Sequence, residues 1–203
     1  MPGADTAGLG GVLAPVTPEN CGADVPEGVG GVEVRGDLFD TMEESLSLVS
    51  SLSDDFAVLV TPRHASQGGS WRWSEQERAS YCREAIKRGA ALVDVEHGTE
   101  AAARLQGEGL EVLLSWHDFQ GMISPEDLEA LTTEMEGSDP AAIKVVPTAE
   151  SLADTVRMLE WVESRSESGP PRIGFAMGPH GIPGRILSIS RGAPWTYAAS
   201  GKA

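Results

Sequence analysis

Short apolar runs of strand length alternate with longer, charged segments of helical period through almost all of this chain, and that alternation limits its architecture more than any other feature. A strand covered on both faces reads as a nearly continuous aliphatic run, the mark of a parallel sheet. Eight such runs can be read: a weak one over Gly11–Val16, then Gly31–Arg35, Phe56–Thr61, Ala91–Glu96, Glu111–Ser115, Ile143–Val146, Arg172–Met177 and Trp195–Ala198. Parallel neighbours need a crossover rather than a tight turn. Helical patterns supply it over Thr41–Leu52, Glu75–Arg88, Glu100–Gln106, from near Ser124, over Ser151–Ser164 and over Gly184–Ser190. Ser74 followed three positions on by Glu77 is a capping-box pattern, and Gly89 stands where a helix C-terminus wants a residue free to turn left-handed. Strand and helix in strict alternation predict an α/β fold, a (β/α)8 TIM barrel, with an open doubly wound sheet as the alternative. The 203 residues suffice for one domain. Residues 1–30 read as an N-terminal segment holding the weak first strand and a long Pro/Gly-rich loop, and residues 31–203 as the remainder of the same barrel.

Charge narrows the partners. The net charge is −16, from 31 acids against 15 bases. Nucleic acid and anionic membrane surfaces both require clustered positive charge, so neither is expected as a partner. The acids gather on helix faces, as in Glu75-Gln76-Glu77 and Glu126-Asp127-Leu128-Glu129, and read as a solvated surface. No apolar stretch reaches the roughly 18 residues needed to cross a bilayer, and the Met1-Pro2-Gly3-Ala4-Asp5 start lacks the basic and apolar regions of a signal peptide. Cys21 and Cys82 are too few and too far apart for a disulfide framework or a zinc site, so a cytoplasmic setting is expected.

Against this acidic background two positions stand out. Lys144 interrupts the run Ala141-Ala142-Ile143-Lys144-Val145-Val146, where an ammonium is costly to bury. Losing the proton removes that cost and leaves a neutral amine, a nucleophile towards ketones. An edge-strand lysine whose head reaches back to water is the plainer alternative. One strand-and-helix unit upstream, Leu113-Leu114-Ser115-Trp116-His117 is a second apolar run, ending in an imidazole. An amine and an imidazole at strand ends suggest Schiff-base chemistry with proton transfer. The active site of a parallel barrel lies at the C-terminal ends of its strands. Those ends carry Glu33 and Arg35 on the second strand, Arg63 past the third, Asp94 and Glu96 on the fourth, His117 beyond the fifth, Lys144 within the sixth, Met177 on the seventh and Arg185 in the loop after it. Arginines among acids can hold a carboxylate or a hydroxyl-rich ligand, because a guanidinium presents a fork of donors.

The same residues resemble the type I 3-dehydroquinate dehydratase family, the Schiff-base dehydroquinases of the shikimate pathway. Glu33-Val34-Arg35-Gly36-Asp37 resembles the family's Glu-x-Arg-x-Asp segment, and Thr61-Pro62-Arg63 with Gly68-Gly69 its Thr-x-Arg and Gly-Gly loop. Asp94-Val95-Glu96, Ser115-Trp116-His117-Asp118-Phe119, Ile143-Lys144-Val145, Met177-Gly178 through Arg185, and Thr196-Tyr197-Ala198 follow in the family's order. The resemblance implies a lyase acting on 3-dehydroquinate. Lys144 would form the imine, His117 would act as general base and acid, and Glu96 would orient His117. Glu33, Arg35, Arg63 and Arg185 would hold substrate. It calls for no metal and no organic cofactor, and the family is often dimeric, so a homodimer is the expected assembly.

Three departures qualify this. Gly184 stands before Arg185 where the family usually has serine, and the segment around Cys21 replaces a tidy first strand and loop. The sequence stops at Ser200-Gly201-Lys202-Ala203, where the family goes on to a loop that closes over substrate and a final helix. The expectation is therefore a barrel lacking its last helix. A degenerate, non-catalytic barrel, or the leading part of a bifunctional shikimate-pathway enzyme, is the alternative to a complete lyase.

Overall fold

The computed structural model describes residues 8–198. Its strands are β1 (Gly11–Val16), β2 (Gly31–Val34), β3 (Val58–Val60), β4 (Leu92–Glu96), β5 (Leu113–His117), β6 (Ala142–Val146), β7 (Arg172–Gly174) and β8 (Trp195–Tyr197). They form one parallel sheet in the order β7-β6-β5-β4-β3-β2-β1-β8. Leu13 of β1 is in register with Gly31 of β2 on one side and Tyr197 of β8 on the other. First and last strands therefore lie side by side, and the sheet is a nearly closed TIM barrel rather than an open one. Among the described residues no ladder joins β7 to β8, which leaves a single seam.

Helices α1 (Met42–Leu52), α2 (Glu75–Lys87), α3 (Glu100–Gly107), α4 (Pro125–Glu136), α5 (Leu152–Glu163) and α6 (Ile182–Leu187) follow β2 to β7 in turn. Their starts were legible locally. Thr41 with Glu44 and Ser74 with Glu77 both form reciprocal capping boxes. Ser124 caps α4 ahead of Pro125, and Gly89 takes φ +101° after α2. Turns without a helix occupy the stretch between β1 and β2. No helix follows β8 within the described residues, and Ser200-Gly201-Lys202-Ala203, on which the expectation of a missing last helix rests, lies outside them.

Side-chain alternation divides the interior in two. Val32, Val34, Val58, Val60, Val93, Val95, Leu114, Ile143 and Val145 point outwards and pack with helix residues such as Cys82, Ala85, Leu105 and Met158. Leu13, Leu59, Leu92, Leu113, Ala142, Ile173 and Trp195 point inwards and fill the barrel with an apolar plug. The next inward position of several strands is polar: Glu33, Thr61, Asp94, Ser115 and Lys144, all buried. This is why Lys144 sits in an apolar run. Ile143 and Val145 face the helices, while Lys144 turns inwards above the plug.

Four placements differ from the sequence reading. β5 runs to His117, which pairs with Val146, so His117 ends the strand instead of lying beyond it. Arg35 falls one residue past β2, opening a one-turn 3-10 helix over Gly36–Leu38. β7 has a partner on one side only and stops at Gly174, leaving Met177 in an isolated bridge to Thr148. Arg185 lies on α6 and not in a loop.

Candidate active site

β3, β4, β5 and β6 bring a linked group of charges to the C-terminal end of the barrel. Arg63 is its centre. Its Nη2 donates to Asp94 Oδ2 at 2.8 Å, and its Nη1 donates to Glu96 Oε1 at 2.8 Å and to Ser115 Oγ at 2.7 Å. Ser115 Oγ in turn donates to Asp94 Oδ1 at 2.5 Å. Lys144 Nζ donates to Asp94 Oδ2 at 3.0 Å and lies 4.3 Å from the centre of the Tyr197 ring. Only 4% of Lys144 is exposed, which rules out the edge-strand lysine reaching water. The arrangement is satisfied by short charge-assisted bonds, as buried charges require.

Burial and these neighbouring charges shift the ionisation of the groups. Burial pushes the Lys144 amine below its ordinary value; Asp94 opposes this and Arg63 reinforces it. Burial, then Arg63 and Lys144, push His117 well below the usual imidazole range, with Asp94 pulling the other way. Burial would raise Asp94, but Arg63 and Lys144 hold it well below the usual carboxylate range. The site thus keeps a carboxylate held in its charged form beside an imidazole that favours its neutral form and an amine whose hold on its proton is weakened by burial. A neutral amine and a neutral imidazole are what nucleophilic attack and proton abstraction demand.

Above these groups is a cavity of about 230 Å³. Glu33, Arg35, Arg63, His117, Lys144 and Arg185 all line it, together with Gln67, Phe175 and Tyr197. That volume lies below the roughly 300–1,000 Å³ typical of pockets for larger ligands and suits a small organic acid. Glu33 accepts a 2.7 Å bond from Thr61 Oγ1. Arg35 is held by two 2.9 Å bonds to Asp37, and Arg185 stacks 4.9 Å from the Phe175 ring centre. A larger groove of about 870 Å³ beside α1 is lined by Asp40, Glu43 and Glu44 but by no lysine, arginine or histidine, so it offers no comparable chemistry.

Glu96, like Asp94, does not line the cavity. Its Oε1 accepts from Arg63 and from the His64 backbone N–H, and its Oε2 is ion-paired with Arg78. Arg63 stands between Glu96 and His117, so the two make no direct hydrogen bond. Glu96 braces the arginine instead. Arg78 is fully buried and also donates to the Pro62 carbonyl at 3.0 Å. Its position in the charged run Glu75-Gln76-Glu77-Arg78 reads as a solvated helix face, so no local signal marks it. Gln67 was also missed; its Oε1 accepts from the His117 backbone N–H at 2.9 Å and lies 3.1 Å from His117 Nδ1.

Comparison with known proteins agrees with this geometry. The model of the Type I 3-dehydroquinase family matches residues 21–203. The chain belongs to that family. It is 31% identical over 185 residues to the 3-dehydroquinate dehydratase of Desulfotalea psychrophila, covering 88% of this chain and 78% of that one. It is 35% identical over 175 residues to that of Thermococcus gammatolerans, covering 84% and 78%. The crystal structure of 3-dehydroquinate dehydratase from Geobacillus kaustophilus superposes with a TM-score of 0.81 at 25% identity, covering 96% of this chain and 84% of that one. The chain is thus an enzyme, a type I dehydroquinase with the hydro-lyase activity of its family, on the barrel fold its sequence pattern predicts. Within that family its Gly184 is accommodated by close packing: a Cβ there would come 2.9 Å from Thr155 Cγ2.

Proposed function

We propose that this dehydroquinase removes water from 3-dehydroquinate, giving 3-dehydroshikimate, through an imine at Lys144 with His117 as the proton carrier. The observation that carries the reading is the buried amine of Lys144, its proton loosened by burial, opening into the same small cavity as His117 and three arginines. The amine attacks the C3 ketone, and His117 assists loss of the carbonyl oxygen as water. The resulting iminium is an electron sink. His117 takes the C2 proton, the electron pair is stored as an enamine, and the C1 hydroxyl departs as water with the proton His117 carries. Hydrolysis of the product imine returns Lys144. Arg185 grips the substrate carboxylate through the fork of its guanidinium, and Glu33, Arg35 and Arg63 hold the hydroxyls. No step requires a metal or organic cofactor.

A non-catalytic barrel is disfavoured by the buried lysine itself, since a well-packed aliphatic residue would serve a purely structural role at least as well. The arginine-lined cavity supports a small-molecule partner, the acidic composition disfavours nucleic acid and anionic membrane, and no helix among the described residues is long and apolar enough to cross a bilayer. A cytoplasmic homodimer completes the proposal. Borohydride reduction in the presence of dehydroquinate tests it. The mass of reduced ligand should attach to the peptide bearing Lys144, and Lys144→Ala should abolish it. His117→Ala should still form adduct slowly with little turnover. Labelling of a different lysine would overturn the assignment.

A further inference from the structure

Lys144 Nζ lies over the face of the Tyr197 ring, 4.3 Å from its centre and well inside the ~6 Å at which a cation is drawn to an aromatic face. Tyr197 is buried, and its ring is held in two places. Trp195 Nε1 donates to its hydroxyl oxygen at 3.0 Å, and Phe175 packs against it at a tilt of 58°. Trp195 belongs to the apolar plug, so the hydroxyl is tied to the plug and the π face meets the nitrogen. Burial also pushes the phenol well above its ordinary value, which keeps it uncharged.

Condensing an ammonium with a ketone expels the carbonyl oxygen as water, together with two of the nitrogen's three hydrogens. The iminium keeps the positive charge but has one N–H left to donate. Asp94, which bonds the nitrogen, is shared with Arg63. An imine nitrogen is moreover a weaker base than the amine it came from, and burial and Arg63 already loosen the proton of that amine. A ring face stabilises charge without needing a hydrogen to bond, and does so more strongly where water is excluded. We infer that the Tyr197 ring is a catalytic group that carries the positive charge of the Lys144 nitrogen, keeping the imine protonated and so able to draw electrons from C2. The inference rests on the imine chemistry proposed above. The other groups facing the nitrogen are Glu33 from β2, Arg63 from the end of β3, Asp94 from β4 and His117 from β5, with Arg185 of α6 across the cavity. β1 and the segment after β7 bring Pro15 and Phe175, which do not titrate.

Lys144 is one of three lysines in the chain, so its nitrogen can be followed by 15N spectroscopy on protein labelled at lysine. Tyr197→Phe, followed by replacement with phenylalanines bearing one, two and three ring fluorines, weakens the face stepwise at nearly constant shape. Every member of the series lacks the hydroxyl, so loss of the Trp195 bond is common to all. From phenylalanine to the trifluoro ring, the titration midpoint of Lys144 in the unliganded protein should fall by about 0.5–1.5 pH units. The alkaline limb of kcat, which reports the imine in the substrate complex, should move down with it. A role in packing alone gives the same midpoints for all four rings, and midpoints that stay still or rise along the series would overturn the inference. The two readings fail differently. Without a reducible adduct at Lys144 the imine chemistry falls, whereas an adduct with unmoved midpoints removes the ring alone.

Discussion

At the scale of single residues, Asp94 is the group through which the lysine can be tuned. It accepts from both Lys144 and Arg63 on one oxygen, so its charge is divided between them. Because Asp94 favours the protonated amine while burial and Arg63 oppose it, the rate of borohydride-trappable adduct formation should rise with pH through a midpoint below 10.5. Asp94→Asn removes the larger of the two acidic influences favouring the ammonium, Glu33 being the other, and its midpoint should be lower still, measured on protein confirmed as folded by circular dichroism. A midpoint unmoved or raised would mean that Asp94 does not control the amine. Lys144, His117 and the cavity arginines were legible in sequence because each is a charge where an apolar strand or its end should be apolar or neutral. Arg78 and Gln67 were not, since one sits in a charged helical run and the other in a polar loop. The arrangement around Glu96 was hidden for a related reason: sequence shows that a carboxylate and an imidazole share a barrel mouth, not that a guanidinium lies between them.

At the scale of elements, the loop after β3 carries more of the site than its length suggests. Residues 64–69 fold back so that Gly69 packs against the strand end, where an added Cβ would fall 2.0 Å from the Arg63 carbonyl oxygen. Gly68 adopts φ +78°, and a Cβ there would fall 2.3 Å from Phe119 Cζ. The Gly-Gly pair thus lets the loop lie flat enough to deliver Gln67 to His117. Gly69→Ala must push loop and strand apart, and a shift of about 1 Å at the imidazole is enough to cost roughly 100-fold in turnover. Steady-state kinetics should show that loss in kcat while the thermal midpoint moves little; full activity would show that the backbone yields elsewhere. Helix starts were readable because a cap is a local arrangement of two side chains three residues apart. Strand ends were not, because they depend on the neighbour: β5 lengthens to His117 where β6 continues to pair with it, and β7 shortens where, among the described residues, no strand pairs with it on its far side.

At the scale of the whole molecule, the alternation of apolar and charged segments specified a barrel, and the inward-facing positions specified where the apolar filling gives way to polar groups. What it could not specify was how completely the cylinder closes, since that depends on the meeting of β7 and β8, more than twenty residues apart in sequence and short in both cases. Each is paired on one side only among the described residues, and across the seam it is side chains that meet, Phe175 against Tyr197 at 6.0 Å between ring centres and Arg185 over Phe175. All three groups there line the cavity beside Lys144, and Arg185 is the proposed carboxylate clamp. A wall joined by rings opens at lower free energy than one joined by a peptide ladder. Amide protons of β7 and β8 should therefore exchange with deuterium well before those of β4 and β5, and a small acid seated against Arg185 should slow them selectively. Equal exchange around the cylinder would show the joint to be as firm as the rest. If the expected gradient is found, the staves that part first are those against which the substrate leans, and a bound substrate would act as the hoop that draws them together.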